Sequence, residues 1–362
     1  MKVVNDLTIL LTLKGRKSFT KRWLDWMSEH SCPFPIVIAD GDRDKSYTRA
    51  LLKDEHYSCL TIEYREYPED SNVEAFVRKF SDAVSRVETK YLICADNDDF
   101  ILIENLIKAR NFLQEHEHID TLALPHYRFS IENDSTDVDS KIYCQGSDIN
   151  FKMLRPLDNK AFFAKNILSR LKESIRVFPS DYFYYGIHKT KNFKRSTAIT
   201  AQKSMNLIFF WERFLTYTIA IIGNISAEKS LEPFVVRQEA TSVSAINLVE
   251  VERLSKLRYS SDWVENYSSF LDGLCEFSKE YQSQNLIKFR LFFSMYFSYN
   301  IHVRIVHGII GSFFSSYKKI YETLVKILAV ARGKQRLNVN PQSLSQIESL
   351  KRLESFLRSK SR

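Results

Sequence analysis

Apolar and amphipathic runs alternate along the first 130 residues. Leu7–Leu13 is an apolar run that predicts a buried strand, followed by a turn at Lys14-Gly15-Arg16. Phe19–His30 places Trp23, Trp26 and Met27 at helical spacing, with Ser18 as the expected N-cap. Pro35–Ala39 reads as a second buried strand, ending at Asp40-Gly41-Asp42. Lys45–Lys53 reads as a short helix and Cys59–Tyr64 as a third strand. From Ser71 to about Glu88 a long helix carries Val73, Phe76, Val77, Phe80, Val84 and Val87 on one face. Leu92–Ala95 is a fourth strand, Leu102–Leu113 a helix, and Thr121–Pro125 a short strand. Repeated β-α-β units of this length predict the α/β class, a mostly parallel open sheet with helices on both faces.

The fourth strand runs straight into three carboxylates, Asp96, Asp98 and Asp99. Carboxylates crowded at the end of a buried strand repel one another and call for a compensating cation. Hard divalent ions such as Mg²⁺ or Mn²⁺ take oxygen ligands, one or two carboxylates and the phosphates of a substrate. The carboxyl ends of strands in open α/β sheets are also where ligands bind. The pattern therefore points to a metal–nucleotide site. The plainer reading is a solvated acidic loop after a strand.

These stretches resemble the GT-A glycosyltransferases, in particular the family-2-like enzymes that build bacterial surface glycans. Leu10–Arg16 is similar to that family's first strand and turn, which implies nucleotide contacts from Thr12 and Arg16. Ile36–Gly41 resembles its second strand, whose Asp, here Asp40, holds the base or ribose. Arg78-Lys79 sits where the family has Arg-Asn, which implies a nucleotide role for Arg78. Asp96-Asn97-Asp98-Asp99 matches the DxD-D motif: Asp96 would meet ribose or metal and Asp98 would ligate the metal. The resemblance is good over residues 7–130 and thinner to about 245. It implies a GT-A-like catalytic domain over 1–245, with a nucleotide-sugar half (1–130) and an acceptor half (131–245).

The acceptor half is less regular. Phe129–Lys152 is polar and reads as a loop or hairpin. Val177–Lys189 is dense in aromatics, including Tyr184 and Tyr185 followed by His188, and Trp211 comes later. Aromatic faces suit the apolar C–H faces of sugars, so these four are candidate acceptor contacts; core packing is the alternative. Asn206–Ile222 reads as a helix carrying Glu212. In the family the corresponding helix starts with an acidic residue, often in a Glu-Asp pair, that takes the acceptor's proton. Glu212-Arg213 is the nearest match, without the Asp, and Asp148, Asp158 and Asp181 stand in reserve. Phe234–Ser244 resembles the late strand that reads Tyr-Arg-Gln-His in the family. Arg237 would contact the diphosphate, and Glu239, in place of the His, would be a third metal ligand.

Composition narrows the field further. Nine glycines and no Gly-rich loop argue against P-loop and Rossmann dinucleotide chemistry. The five cysteines are scattered, with no CxxC, and read as reduced packing residues. No signal peptide and no stretch of 18 uncharged apolar residues is read, so a cytoplasmic location is expected. Residues 286–362 hold 14 Lys/Arg against 3 Asp/Glu, while the remainder holds 38 against 41. All the net positive charge therefore lies in the last segment. That segment also carries exposed-looking apolar residues, Phe289 to Phe297 among them, which suits the surface of an anionic membrane. A helical basic-amphipathic region is expected over 246–334, then a polar linker and short terminal helix over 335–362. A small helical domain packed on the enzyme is the alternative. The tail shows no nucleic-acid motif.

The combined expectation is a transferase moving a sugar from a nucleotide-sugar donor to a hydroxyl of a glycan or lipid-linked acceptor. It would invert configuration, use Mn²⁺ or Mg²⁺, and sit on the inner face of the cytoplasmic membrane. A nucleotidyltransferase-like enzyme, or a non-catalytic binding subunit of a glycan-assembly complex, is the alternative.

Overall fold

The computed structural model describes residues 5–131, 142–143, 148–153, 167–176, 181–203, 205–239, 261–279, 290–291, 293–298, 301 and 347–359. Of the charged tail positions, Lys288, Arg304, Lys318, Lys319, Lys326 and Arg332 lie outside these residues, as does Asp158.

β1 (Leu7–Leu13) is buried along its whole length, which is why it reads as an unbroken apolar run. Its side chains alternate between two cores. Leu7, Ile9, Leu11 and Leu13 join one with Trp23 and Trp26, while Leu10 joins the other with Phe80 and Trp211. Then follow α1 (Lys17–Glu29), β2 (Ile36–Asp40), α2 (Ser46–Leu51), β3 (Ile62–Glu66), α3 (Val73–Ser85) and β4 (Tyr91–Asp96). β5 (Phe100–Ile101), α4 (Ile103–Glu115), β6 (Thr121–Leu122), β7 (Tyr127–Ile131) and β8 (Ile149–Met153) complete the first part. The second part contains α5 (Ile167–Arg176), α6 (Asp181–Tyr184), β9 (Ile187–Lys189), α7 (Thr190–Gln202), α8 (Ile208–Ile222), β10 (Ile225–Ser226) and β11 (Val235–Gln238). Beyond these lie α9 (Ser261–Lys279) and α10 (Glu348–Ser359).

The main sheet runs β10-β6-β9-β4-β1-β2-β3, and a four-stranded sheet runs β5-β11-β7-β8. In the main sheet β9 alone is antiparallel to its neighbours β4 and β6. The α/β class and mostly parallel sheet are as the pattern predicts. Register decides what meets at the sheet's edge: Leu13 pairs with Asp40 on one side of β1, and Thr12 pairs with Asp96 on the other. Two strand spacings separate those carboxylate-bearing ends, about 10 Å.

Several boundaries differ from expectation, each for a physical reason. α1 begins two residues earlier, and Arg16, not Ser18, occupies its N-cap position with no side-chain cap. Gly15 and Arg16 take successive left-handed conformations (φ 68° and 57°), and the Arg16 side chain is spent elsewhere. The third strand starts at Ile62 rather than Cys59. Asp54 caps a short turn by accepting from the His56 N–H at 2.9 Å, and Tyr57 donates to Asp25 at 2.7 Å, which holds the chain out of the sheet until Thr61. The polar 129–152 stretch is bracketed by a hairpin pairing of β7 with β8.

Phe293 and Phe297, grouped by sequence with an exposed tail, are buried. Their rings lie 5.3 and 6.1 Å from Tyr217 of α8, and both pack on Phe270 of α9. Leu291 before them and Met295 between them remain exposed. α10 buries Leu350, Leu353, Phe356 and Leu357, and Phe356 stands edge-on to Trp26 and Phe100. The terminal helix is thus part of the first core. Among the described residues no helix is long and apolar enough to cross a membrane.

Candidate active site

β4 delivers Asp96 at its last position, and the tight turn after it presents Asp98 and Asp99. The turn is closed by the Asp99 N–H on the Asp96 carbonyl at 3.3 Å. A carboxylate oxygen from each of the three residues lies within 4.8 Å of the others. Asp98 and Asp99 are buried, each 4% exposed. Each carboxylate has its own donors. Tyr185 and Tyr184 donate their hydroxyls to Asp96 at 2.6 and 3.2 Å. Arg16 donates to Asp98 at 2.6 Å. Asp99 accepts from the Gln238 backbone N–H at 3.0 Å and from Arg237 Nε at 3.2 Å. Arg237 also lies over the Tyr185 ring, 4.9 Å from its centre.

These donors do not cancel the crowding. Burial, with Asp98 beside it, raises the Asp96 carboxyl above its ordinary range. Burial pushes Asp99 up to about 7 despite Arg237. Three hard oxygen donors so close together, two of them raised by burial and crowding, are a donor set that fits a divalent cation. The left-handed Arg16 fits the same picture. A non-glycine residue there costs about 1–3 kcal/mol, and such strain concentrates at functional sites.

Asp40 stands at the neighbouring strand end. It accepts from Tyr64 Oη and from the Asp42 N–H, at 2.7 and 2.8 Å. Beside it opens a hollow of about 420 Å³ lined by residues of 43–49 and 66–68, Arg43, Lys45 and Tyr67 among them. Thr12 is buried next to Asp96.

Other expected site residues fall elsewhere. Arg78 is exposed on α3 and pairs with Glu74; the chain turns Lys79 inward instead. Glu239 lies outside the carboxylate group and faces Lys152 and Arg128, at 3.3 and 3.7 Å. The third carboxylate of the group is instead Asp99, nearer in sequence, because the turn folds it back onto Asp96. His188 is buried within the sheet, 3.1 Å from the Thr121 hydroxyl and stacked on Phe193. Trp211 is buried edge-on to Phe76 and Phe80. Neither offers a face to a sugar. Tyr184 and Tyr185, expected at the acceptor, are the groups that hold Asp96. Glu212 is half-exposed on the first turns of α8, 3.5 Å from Arg213. Its neighbour Trp211 reaches Tyr184 at 6.2 Å between ring centres.

Three supports went unnoticed in the sequence. Asn97 donates to Thr20 Oγ1 at 2.9 Å. Arg22 donates to the Asp98 carbonyl at 2.8 Å. Lys79 and Asp70 form a buried pair below Asp40. Arg22 did leave a signal: it falls on the apolar stripe of α1 with Phe19, Trp23 and Trp26, where a charge must have a partner.

No family model and no curated protein sequence matches the chain. Solved structures show a distant likeness. S. aureus TarS 1-349 in complex with UDP-GlcNAc is similar with a TM-score of 0.45 and 15% identity, over 76% of this chain and 71% of that one. The mannosyltransferase PcManGT from Pyrobaculum calidifontis, in complex with GDP-Man and Mn²⁺, is similar with a TM-score of 0.46 and 10% identity, over 97% of this chain and 84% of that one.

Proposed function

We propose that the chain is a metal-dependent glycosyltransferase. It moves a sugar, with inversion, from a nucleotide-sugar donor to a hydroxyl of a glycan or lipid-linked acceptor, in the assembly of bacterial surface polysaccharide. One observation carries the reading: three mutually close carboxylates leave the sheet beside β1, and Asp40 leaves the same edge on β1's other side. That edge can hold a divalent cation at one end and a nucleoside at the other.

Asp96, Asp98 and Asp99 would hold Mn²⁺ or Mg²⁺, which when bound supplies Lewis-acid neutralisation of a leaving diphosphate. Asp40 accepts hydrogen bonds from the base or ribose. Arg16 and Arg237, both already at the carboxylates, bring positive charge to the diphosphate. Glu212 takes the proton of the attacking hydroxyl as its oxygen bonds to the sugar's anomeric carbon and the bond to the diphosphate breaks. Replacing Glu212 by Gln keeps the shape and removes the proton acceptor. Turnover should fall about 10²–10⁴-fold with donor affinity little changed. Near-normal turnover would pass the role to Asp148 or Asp181.

The basic last segment would place the enzyme on the anionic inner face of the cytoplasmic membrane, where a lipid-linked acceptor lies. Sedimentation with anionic but not neutral vesicles, reversed by salt, is the expected result.

The direct test uses the purified full chain with UDP- and GDP-sugars. Release of nucleoside diphosphate that requires Mn²⁺ or Mg²⁺ is expected. A chain that neither binds nucleotide with metal nor releases any diphosphate is not this enzyme.

A further inference from the structure

We propose that Arg22 is the positioning residue of the acidic turn, a buried guanidinium that ties Asp98 to the end of β11 and so fixes the three carboxylates for a divalent cation. The inference rests on the glycosyl-transfer reading of the same site.

Arg22 is fully buried. Its Nη2 donates to the Asp98 carbonyl, and its Nη1 donates to Gln238 Oε1 and to the Ile142 carbonyl, each at 2.8 Å. Gln238 is the residue whose backbone N–H is accepted by Asp99. One planar group therefore reaches Asp98 directly and Asp99 through a single intermediary. The guanidinium also lies over the rings of Phe19 and Phe100, at 4.7 and 4.6 Å. Phe100 is the residue immediately after Asp99, so the stacking sets the exit of the turn as the hydrogen bonds set its middle.

These three hydrogen bonds end on neutral oxygens. The charge of Arg22 is answered through space by Asp98 and Asp99. A rigid fork serving acceptors on three separate segments is a task for arginine; a lysine ammonium is a point charge without that fork. The rest of α1 points the same way. Thr20 receives the Asn97 amide, and Arg16 holds the Asp98 carboxylate. α1 and its N-cap thus hold Asn97 and Asp98, with Arg22 as the member that also reaches the second sheet.

Removing the charge outright would confuse geometry with electrostatics, because losing a cation near the carboxylates favours metal by itself. The test therefore uses Arg22→Lys, which keeps the charge and loses the fork. Mn²⁺ affinity is measured with UDP present, by the electron paramagnetic resonance signal of free Mn²⁺, well below the variant's melting temperature. Supporting groups around metal ligands are worth about 10–100-fold in affinity, and a loss of at least about tenfold is expected. Gln238→Met leaves the charge and the backbone donor to Asp99 in place and breaks one tie; its loss should be in the same direction and smaller. A folded Arg22→Lys chain that binds Mn²⁺ as the parent does overturns the proposal. Should that variant fail to fold, unchanged Mn²⁺ affinity in Gln238→Met overturns it instead. A parent chain that binds no Mn²⁺ with UDP is a different result: it removes the glycosyl-transfer reading itself, and the role of Arg22 with it.

Discussion

Two buried charged clusters lie at the carboxyl edge of the same sheet, and they are built on opposite principles. At Asp70 the charges are matched. Lys79 Nζ donates to the Asp70 carboxylate and, at 2.9 Å, to the Leu13 carbonyl, while Lys14 donates to the Asp70 backbone carbonyl. The fit is close enough that a Cβ on Gly41 would sit 2.5 Å from Asp70 Cγ. At the acidic turn, three carboxylates gather against Arg16 and Arg237 at their oxygens. Burial is similar in both places. The arrangement differs: one cluster is an ion pair closed on itself that ties β1, β2 and the entry to α3 together, and the other crowds three carboxylates so closely that burial and mutual repulsion raise Asp96 and Asp99 despite Arg16, Arg237 and, through space, Arg22. Burial alone does not mark a functional site; like charges crowded together in a buried place do.

The comparison is broken most decisively at Asp98. Asp98→Ala should lower metal-dependent turnover about 10³-fold or more, since each fixed electrostatic group at a reacting centre is worth about 10²–10³-fold and, on the proposed reading, this one would also hold the metal. Because Asp98 is one of the groups that raise Asp96 and Asp99, the same change relieves repulsion on both. The melting temperature should therefore hold or rise, with activity and stability read on the same preparation. A variant that loses stability and keeps turnover would make the acidic turn a structural element like the other.

At the matched cluster the expectation reverses. Burial lowers Lys79 and raises Asp70, so each depends on the other to stay charged. Lys79→Met strands a buried carboxylate and should cost about 3–5 kcal/mol in urea unfolding. Lys79→Met with Asp70→Asn should recover a large part of that loss, and Mn²⁺ affinity should barely change in either. A neutral Lys79→Met would mean that the pair contributes nothing beyond its neighbours.

The sequence made one of these clusters visible and hid the other. Asp96, Asp98 and Asp99 are adjacent and follow a buried strand, so local pattern is enough to find them. Asp70 and Lys79 are nine residues apart in a loop and a helix, and their meeting depends on how α3 docks under β1. The same distinction separates the strands from the aromatics. A fully buried parallel strand is an apolar run and is seen as such. Tyr184, Tyr185, His188 and Trp211 form one aromatic-rich stretch with a later helix, and nothing local says which hydroxyls reach Asp96 and which rings pack away. Arg78-Lys79 shows the limit most sharply. A helix rotates successive residues by about 100°, so being one position off exchanges a surface ion pair for a buried one. The exposed-looking tail differs in the same manner, since Phe293 and Phe297 find cover in Phe270 and Tyr217, which belong to other helices.

A third buried group sharpens the comparison with no opposite charge at all. His188 is fully enclosed between β4 and β6, and burial lowers its imidazole to about 4. In the unfolded chain it titrates near its ordinary value of 6.5. Between those values the unfolded state binds a proton that the folded state refuses. Stability therefore rises with pH across that window, and is lost as pH falls from about 6.5 toward 4. The full effect is about 3 kcal/mol at one and a third kcal/mol per unit. Urea midpoints taken from pH 4 to 7 should show this slope in the parent chain. His188→Gln, which keeps a hydrogen-bonding side chain next to Thr121 and cannot titrate, should flatten it by that amount. An unchanged slope would mean that His188 is charged in the fold, and that a carboxylate has moved to meet it.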